Sequence, residues 1–309
     1  MPNQVSEIDL EALRATWPAL SDEERAEAFS LLGEDDAQAF FGSLTPADQA
    51  GILKHLSNGK AAIWMRMLAP DDAADTRLIS DLLRPNDLVV LVTPIDSAAP
   101  KGRLILPQQQ VVRDILEVGA LALVTREFEL RAALAALARP PRMVVTDSQA
   151  FAKVAAETPR EVPLTSFSML FARYKGDLAE QVRGTRAVAA LKDGDRVLVA
   201  EGCTHHRQCD DIGTVKIPRW LRQHTGRDLV YEHTSGMKYP RDLSAYKLII
   251  HCGACMLNRR EMHYRIQQAK AAGIPIVNYG VLIAYMQGIL ERCLEPFAPK
   301  QDADALSDR

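Results

Sequence analysis

Residues 249–258 read IIHCGACMLN, which places two cysteines, Cys252 and Cys255, two residues apart and directly after His251. A second group lies upstream, where Glu201-Gly202-Cys203-Thr204-His205-His206 supplies a third cysteine and two histidines. Three chemistries use such residues. Three thiolates and an imidazole suit a closed, tetrahedral zinc site. They suit equally a [4Fe–4S] cluster held by three cysteines with one exchangeable iron position. A Cys-x-x-Cys pair ahead of a helix can also cycle between dithiol and disulfide. Zinc favours a second ligand pair as tightly spaced as the first, and Cys203-x-His205 meets that only marginally. The redox reading leaves Cys203 and the histidines without a role.

The elements around these residues explain how two distant groups can meet. RVLVAE (196–201) and KLIIH (247–251) read as buried strands, and each cysteine group begins where its strand stops. Carboxyl ends of neighbouring strands in an open α/β sheet share one crevice, the usual ligand site of such folds. Cys203, Cys252 and Cys255 converge if the two strands are neighbours. The remaining strands of this last third are LVYEH (229–233) and IPIVN (274–278). Helices are expected at 216–224, stopped by Gly226, at 258–272, stopped by Gly273, and at 281–292. The expected unit is a small, doubly wound parallel sheet.

An α/β domain is also expected further upstream. Strands LVVLV (88–92), LALV (121–124) and MVVT (143–146) alternate with helices at 107–118, 126–138, 148–157 and a longer one near 167–191. The first 84 residues differ. Leucines recur every twelfth position at Leu20, Leu32, Leu44, Leu56 and Leu68, followed by Ser21, Gly33, Thr45, Ser57 and Ala69. Ser21-x-x-Glu24 is a capping box, Thr45-x-x-Asp48 is close to one, and Pro46 and Pro70 sit at first helical positions. Each repeat is a short helix whose leucine face is buried by stacking. The predicted fold class is α/β, with an N-terminal all-helical repeat domain followed by two α/β domains. Their boundaries fall at 1–84, 85–191 and 192–295, and 296–309 is a disordered tail.

Bulk properties restrict the function. The chain has 309 residues, 47% hydrophobic and 25% charged, with a net charge of −3. No basic stripe is available for nucleic acid, and no apolar run reaches the ~20 residues that span a bilayer. The N-terminus is polar and acidic, unlike a signal peptide, so a cytoplasmic location is expected. All five cysteines lie from position 203 onward, which fits a local metal or redox site better than a disulfide framework. No G-x-x-x-x-G-K-[ST] phosphate loop occurs, and no enzymatic activity is expected.

Two family resemblances follow from these residues. Segments LSDEERAEAFSLL and LAPDDAADTRLISDLL resemble the helical N-domain of MgtE-type magnesium transporters, here expected to serve as a docking or spacer module. The spacing Cys203-x-His205, then 45 residues, then His251-Cys252-x-x-Cys255 resembles the cluster motif of the [FeFe]-hydrogenase maturation factor HydF family. DLVVLVTPIDSAAPKGRLILPQQQ, PLTSFSMLFARYKGDL, DDIGTVKIPRWL and NYGVLIAYMQGIL extend the likeness over residues 85–293. The resemblance implies a dimerisation domain and a cluster domain whose [4Fe–4S] cluster is held by Cys203, Cys252 and Cys255. His205 or His251 would approach the fourth iron, with Cys209 a weaker candidate. It further implies a homodimeric scaffold that carries a diiron subcluster, made by radical-SAM partners, to apo-[FeFe]-hydrogenase. The family's GTPase domain has no counterpart here, so GTP is not an expected cofactor, and a separate GTPase is a candidate partner. An iron–sulfur redox or regulatory protein and a zinc-stabilised binding module are the alternatives.

Overall fold

The computed structural model describes residues 10–68, 77–95, 104–202, 211–236 and 238–298. Cys203, His205, His206 and Cys209 lie outside them, as do Ala69, Pro70 and the tail from 299 onward. Among the described residues are eight strands in two four-stranded sheets, both wholly parallel. The first contains β1 (Leu88–Val92), β2 (Leu121–Thr125), β3 (Met143–Thr146) and β4 (Leu164–Ser166) in the order β2-β1-β3-β4. The second contains β5 (Arg196–Ala200), β6 (Val230–Thr234), β7 (Leu248–His251) and β8 (Ile276–Asn278) in the order β6-β5-β7-β8. The fold is α/β, with a helical region ahead of two doubly wound sheets.

The second sheet follows the sequence expectation closely. β1, β3, β5 and β7 are the apolar runs, and parallel strands buried on both faces need such continuous hydrophobicity. Gly226 and Gly273 follow their helices with φ of 67° and 68°, a conformation that glycine adopts without steric cost. Three differences have local causes. β4 was not expected, because its LTS sequence is short and hydroxyl-bearing, yet all three residues are buried. The long helix predicted near 167–191 is instead Phe167–Lys175, Leu178–Gly184 and a 3-10 stretch Thr185–Ala190. Gly176 ends the first of these, and the Asp177 carboxylate accepts from Glu180 N to start the second. The helix predicted at 281–292 divides into Tyr279–Met286 and Leu290–Leu294, around Gly288 with φ of 70°.

The twelve-residue repeat forms helices Asp22–Leu31, Glu34–Ser43, Pro46–His55 and Asn58–Leu68. Leu32, Leu44 and Leu56 are each the residue at which a helix stops and the chain turns extended, with ψ of 145°, 156° and 151°. The capping box at Ser21 and Glu24 is formed. Asp48 accepts from Thr45 Oγ1 at 2.6 Å and from Arg25 at 2.9 Å, so its carboxylate serves the cap and an interhelical ion pair. Trp17, Phe29, Phe40, Phe41 and Trp64 fill this module's core.

The two sheets share one core, which joins Val90, Val92 and Val144 of the first to Val197, Val199 and Ile250 of the second. The opposite face of the first sheet packs Val89, Leu91 and Val145 against Val111, Ile115 and Phe171, together with Leu78, Ile79 and Leu83. Packing of this unit therefore begins before residue 85. At the other end, Phe297 packs on the core, and the Arg173 guanidinium lies over its ring.

Candidate metal centre

β5 and β7 are direct neighbours, with Ala200 beside His251, so the carboxyl ends that carry the two cysteine groups are aligned. The ladder continues one residue further, since Cys252 N donates to Ala200 O at 3.0 Å. Gly202 N then donates to Cys252 Sγ at 3.0 Å, and Ala254 N donates to the same sulfur at 3.4 Å. Two backbone N–H groups directed at one sulfur favour its anionic form. Gly202 packs so closely that a side chain there would meet Leu257 Cγ at 2.8 Å, and the next residue in sequence is Cys203.

The spacer between the cysteines is bent. Ala254 adopts a φ of 55°, a left-handed conformation that costs a non-glycine residue about 1 kcal/mol. This turn presents Cys252 and Cys255 on one short loop. Both are free thiols, Cys252 buried and Cys255 half-buried. Burial, reinforced by the neighbouring Cys255, pushes the Cys252 thiol up to about 12. A ligand that needs the thiolate must therefore displace a tightly held proton. Among the described residues, no three His, Cys, Asp or Glu side chains cluster as metal ligands would. The described part of the site supplies two sulfur donors.

His251 is placed differently from its sequence neighbours. Side chains alternate across a strand, so His251 falls on the face of β7 shared with Ile249, opposite Ile250. It is fully buried and its Nε2 lies 3.1 Å from Arg265 Nη1. Guanidinium only donates, so Nε2 accepts, and Nδ1–H donates to Cys252 O at 2.9 Å. Both ring nitrogens are thus engaged by the protein. Burial and the adjacent Arg265 charge lower its pKa to about 3, which keeps the ring neutral. Arg265 itself is wholly buried, bonded to Glu261 Oε1 at 3.0 Å and to Gly236 O at 2.8 Å, with Tyr239 stacked on the guanidinium. Sequence reasoning missed this brace, although the i,i+4 spacing of Glu261 and Arg265 was its signal.

Polar side chains from both sheets' units are paired around the cysteine loop. Glu201 is buried and accepts from Tyr279 OH at 3.1 Å. Ser168, from the helix after β4, donates to Asn278 Oδ1 at 2.7 Å, and Lys216 donates to Gln149 Oε1 at 2.7 Å. Lys175 Nζ donates to the carbonyls of Ala254, Cys255 and Leu257. A π-helical turn, Ile212–Lys216, leads into helix Ile217–Thr225. Cys293 is buried in the shared core, and half-buried His263 accepts from Arg259.

Comparison with known proteins adds to this geometry. Residues 179–296 match the family model described as the hydrogen maturase F tetramerization domain, and residues 78–176 match the hydrogen maturase F dimerization domain. Residues 9–91 match the MgtE intracellular N domain. No curated protein matches the chain. Among solved structures, aspartate transcarbamoylase from Trypanosoma cruzi, with carbamoyl aspartate and phosphate, aligns with 8% identity and a TM-score of 0.25. That alignment covers 82% of this chain and 93% of the other. The same enzyme with phosphate alone aligns at 8% identity and a TM-score of 0.24, over the same shares of both chains. No described helix is long and apolar enough to cross a membrane.

Proposed function

The chain belongs to the hydrogen maturase F family, whose role is hydrogenase maturation, and we propose that within it this protein is a non-enzymatic iron–sulfur scaffold. The observation that carries the reading is the thiol pair at the aligned ends of β5 and β7, with two N–H groups donating to Cys252 Sγ. Cys203, Cys252 and Cys255 would hold a [4Fe–4S] cluster. The donor set fits the group, since clusters take cysteine thiolates and N–H donors to sulfur tune their potential. When bound, the cluster supplies an iron position to which a diiron cargo can attach. His251 is occupied by Arg265 and Cys252, which leaves that position to His205, Cys209 or an exogenous ligand.

The residues on hand divide the remaining work. His251 and Arg265 fix the carbonyl side of Cys252, while Gly202 keeps the entering strand against the loop. The matched domains are oligomerisation modules, so the scaffold works as an assembly of copies. Its partners are the radical-SAM proteins that make the diiron unit and the apo-[FeFe]-hydrogenase that receives it. The MgtE-like module serves as a partner-docking element.

Iron, acid-labile sulfide and zinc per chain, measured on protein purified without oxygen, test the cluster. About four irons and four sulfides are expected. One zinc with no sulfide would replace the scaffold by a zinc-stabilised binding module. Activation of apo-hydrogenase by the protein loaded with a synthetic diiron complex tests the cargo, and no activation with a full cluster would end the maturation role.

A further inference from the structure

Lys175 closes helix Phe167–Lys175, which belongs to the first sheet's unit, yet its amine is buried against the cysteine loop of the second. Nζ lies 3.1 Å from Ala254 O, 2.9 Å from Cys255 O and 2.6 Å from Leu257 O. Three carbonyl acceptors match the three hydrogens of an ammonium, and a neutral amine could serve only two. Phe171, one turn earlier, places its ring 5.3 Å from the same nitrogen. The geometry thus fixes a positive charge against the loop that carries the thiol pair.

The loop it grips is the strained one. Ala254, with its φ of 55°, turns its carbonyl to Lys175 and its N–H to Cys252 Sγ. Cys252 O is taken by His251. Three consecutive constraints therefore orient this loop: imidazole on Cys252 O, ammonium on the carbonyls of Ala254 and Cys255, and amides on sulfur. Two come from the second sheet's own unit, and one comes from its neighbour.

We propose that Lys175 is a positioning residue for the metal centre: it holds the left-handed turn that presents Cys252 and Cys255, and it places a fixed positive charge on the carbonyls of that loop. The first role belongs to the metal-free protein. The second rests on the iron–sulfur reading above. A cluster gains negative charge on reduction, so a buried ammonium nearby favours the reduced state. It also makes the site depend on the docking of the two α/β units, because the loop is shaped only while Lys175 is inserted.

The test uses the full chain with Lys175→Met and Lys175→Gln, two neutral side chains of which the second keeps hydrogen-bond donors. In metal-free protein, amide hydrogen exchange at Leu257, whose N–H bonds Ala254 O, is expected to quicken about tenfold in Lys175→Met and less in Lys175→Gln. In protein loaded with iron and sulfide, the cluster potential is expected to move to more negative values in both. Unchanged exchange and unchanged potential in folded variants would overturn the proposal. Failure of both variants to fold would assign Lys175 to the unit interface alone and would overturn it too. Faster exchange together with a wild type that takes up no iron would keep the loop role and reject the cluster reading instead.

Discussion

The two sheets are built to one plan and differ in what they carry. Each begins at a turn closed by an aspartate: Asp87 Oδ2 accepts from Arg84 N, and Asp195 Oδ2 accepts from Lys192 N at the same distance, 2.8 Å. The following strand ends pair alike, Thr93 N to Thr125 O and Glu201 N to Thr234 O, each 2.9 Å. Past the third strand, Asp147 N reaches Val92 O as Cys252 N reaches Ala200 O. At the fourth, Pro163 and Pro275 accept from the third strand, and Ser166 and Asn278 cap the next helix. Position by position, Thr93 corresponds to Glu201, Thr146 to His251 and Asp147 to Cys252. The first edge carries two hydroxyls and a carboxylate at these positions, the second a carboxylate, an imidazole and a thiol. The scaffold decides where a ligand can sit, and a few substitutions at strand ends decide which chemistry meets it.

Exchanging the chemistry of the edges should break the comparison most sharply. Cys252→Ser or Cys255→Ser gives the second edge a hydroxyl like those of the first, and complete loss of bound iron and sulfide is expected. Asp147→Asn, at the equivalent place in the first sheet, should leave both unchanged. Metal analysis after anaerobic reconstitution reads the two together, and an effect of Asp147→Asn would mean that the edges act as one site.

The helices behind the edges should differ next. The first sheet's helix Leu106–Glu117 packs apolar Val111 and Ile115, whereas helix Arg259–Ala271 buries the Glu261–Arg265 pair. Arg265→Met strands Glu261 and His251, with an expected loss of about 3–5 kcal/mol in urea unfolding. Ile115→Val should cost only about 0.5–1.5 kcal/mol. Equal losses would show that the buried ionic brace has no special weight.

The pair Thr146 and His251 should separate the sheets by pH. His251 titrates at about 3 in the folded protein and near 6.5 when unfolded, so the unfolded chain takes up the proton first. Arg265 is the charged group that faces it, and Glu261 pairs with Arg265 from behind. Its contribution is complete above about 6.5 and is lost as the pH falls toward 3, amounting to about 2 kcal/mol by pH 5. Metal-free His251→Gln should show a shallower acid slope of stability in that window. An unchanged slope would place the acid sensitivity elsewhere. The smallest effects should be the two matching caps: Ser166→Ala and Asn278→Ala are each expected to cost about 1 kcal/mol. Each cap also accepts a serine hydroxyl, Ser148 on Ser166 and Ser168 on Asn278, so the two losses should match in urea unfolding.

The sequence revealed the outline of this plan through its apolar runs. LVVLV, RVLVA and KLIIH could be little else than buried parallel strands, and the cysteines at their ends marked the site. The equivalence of the sheets was hidden because it lies in backbone hydrogen bonds and turns, which Arg84-Pro85-Asn86-Asp87 and Lys192-Asp193-Gly194-Asp195 satisfy with different residues. β4 was obscured by its hydroxyls, which look like loop residues until Thr165 and Ser166 are seen buried. His251 stands next to Cys252 in sequence, but strand alternation turns its ring to the face of Ile249, where Arg265 meets it. Lys175 carried no sign at all, since what it recognises is backbone.

The grip of Lys175 also sets an order of events during synthesis. Its partners lie 79 to 82 residues further along the chain, and β5 must wait for β7 across the whole β6 crossover. Contacts this distant in sequence form slowly, after the units that contribute them have collapsed. The thiol loop is therefore among the last parts of the molecule to acquire its shape. On the proposed iron–sulfur reading, the two described thiols reach their mutual geometry only after that late step. Reconstitution of the folded, metal-free chain is therefore the expected route to the loaded form.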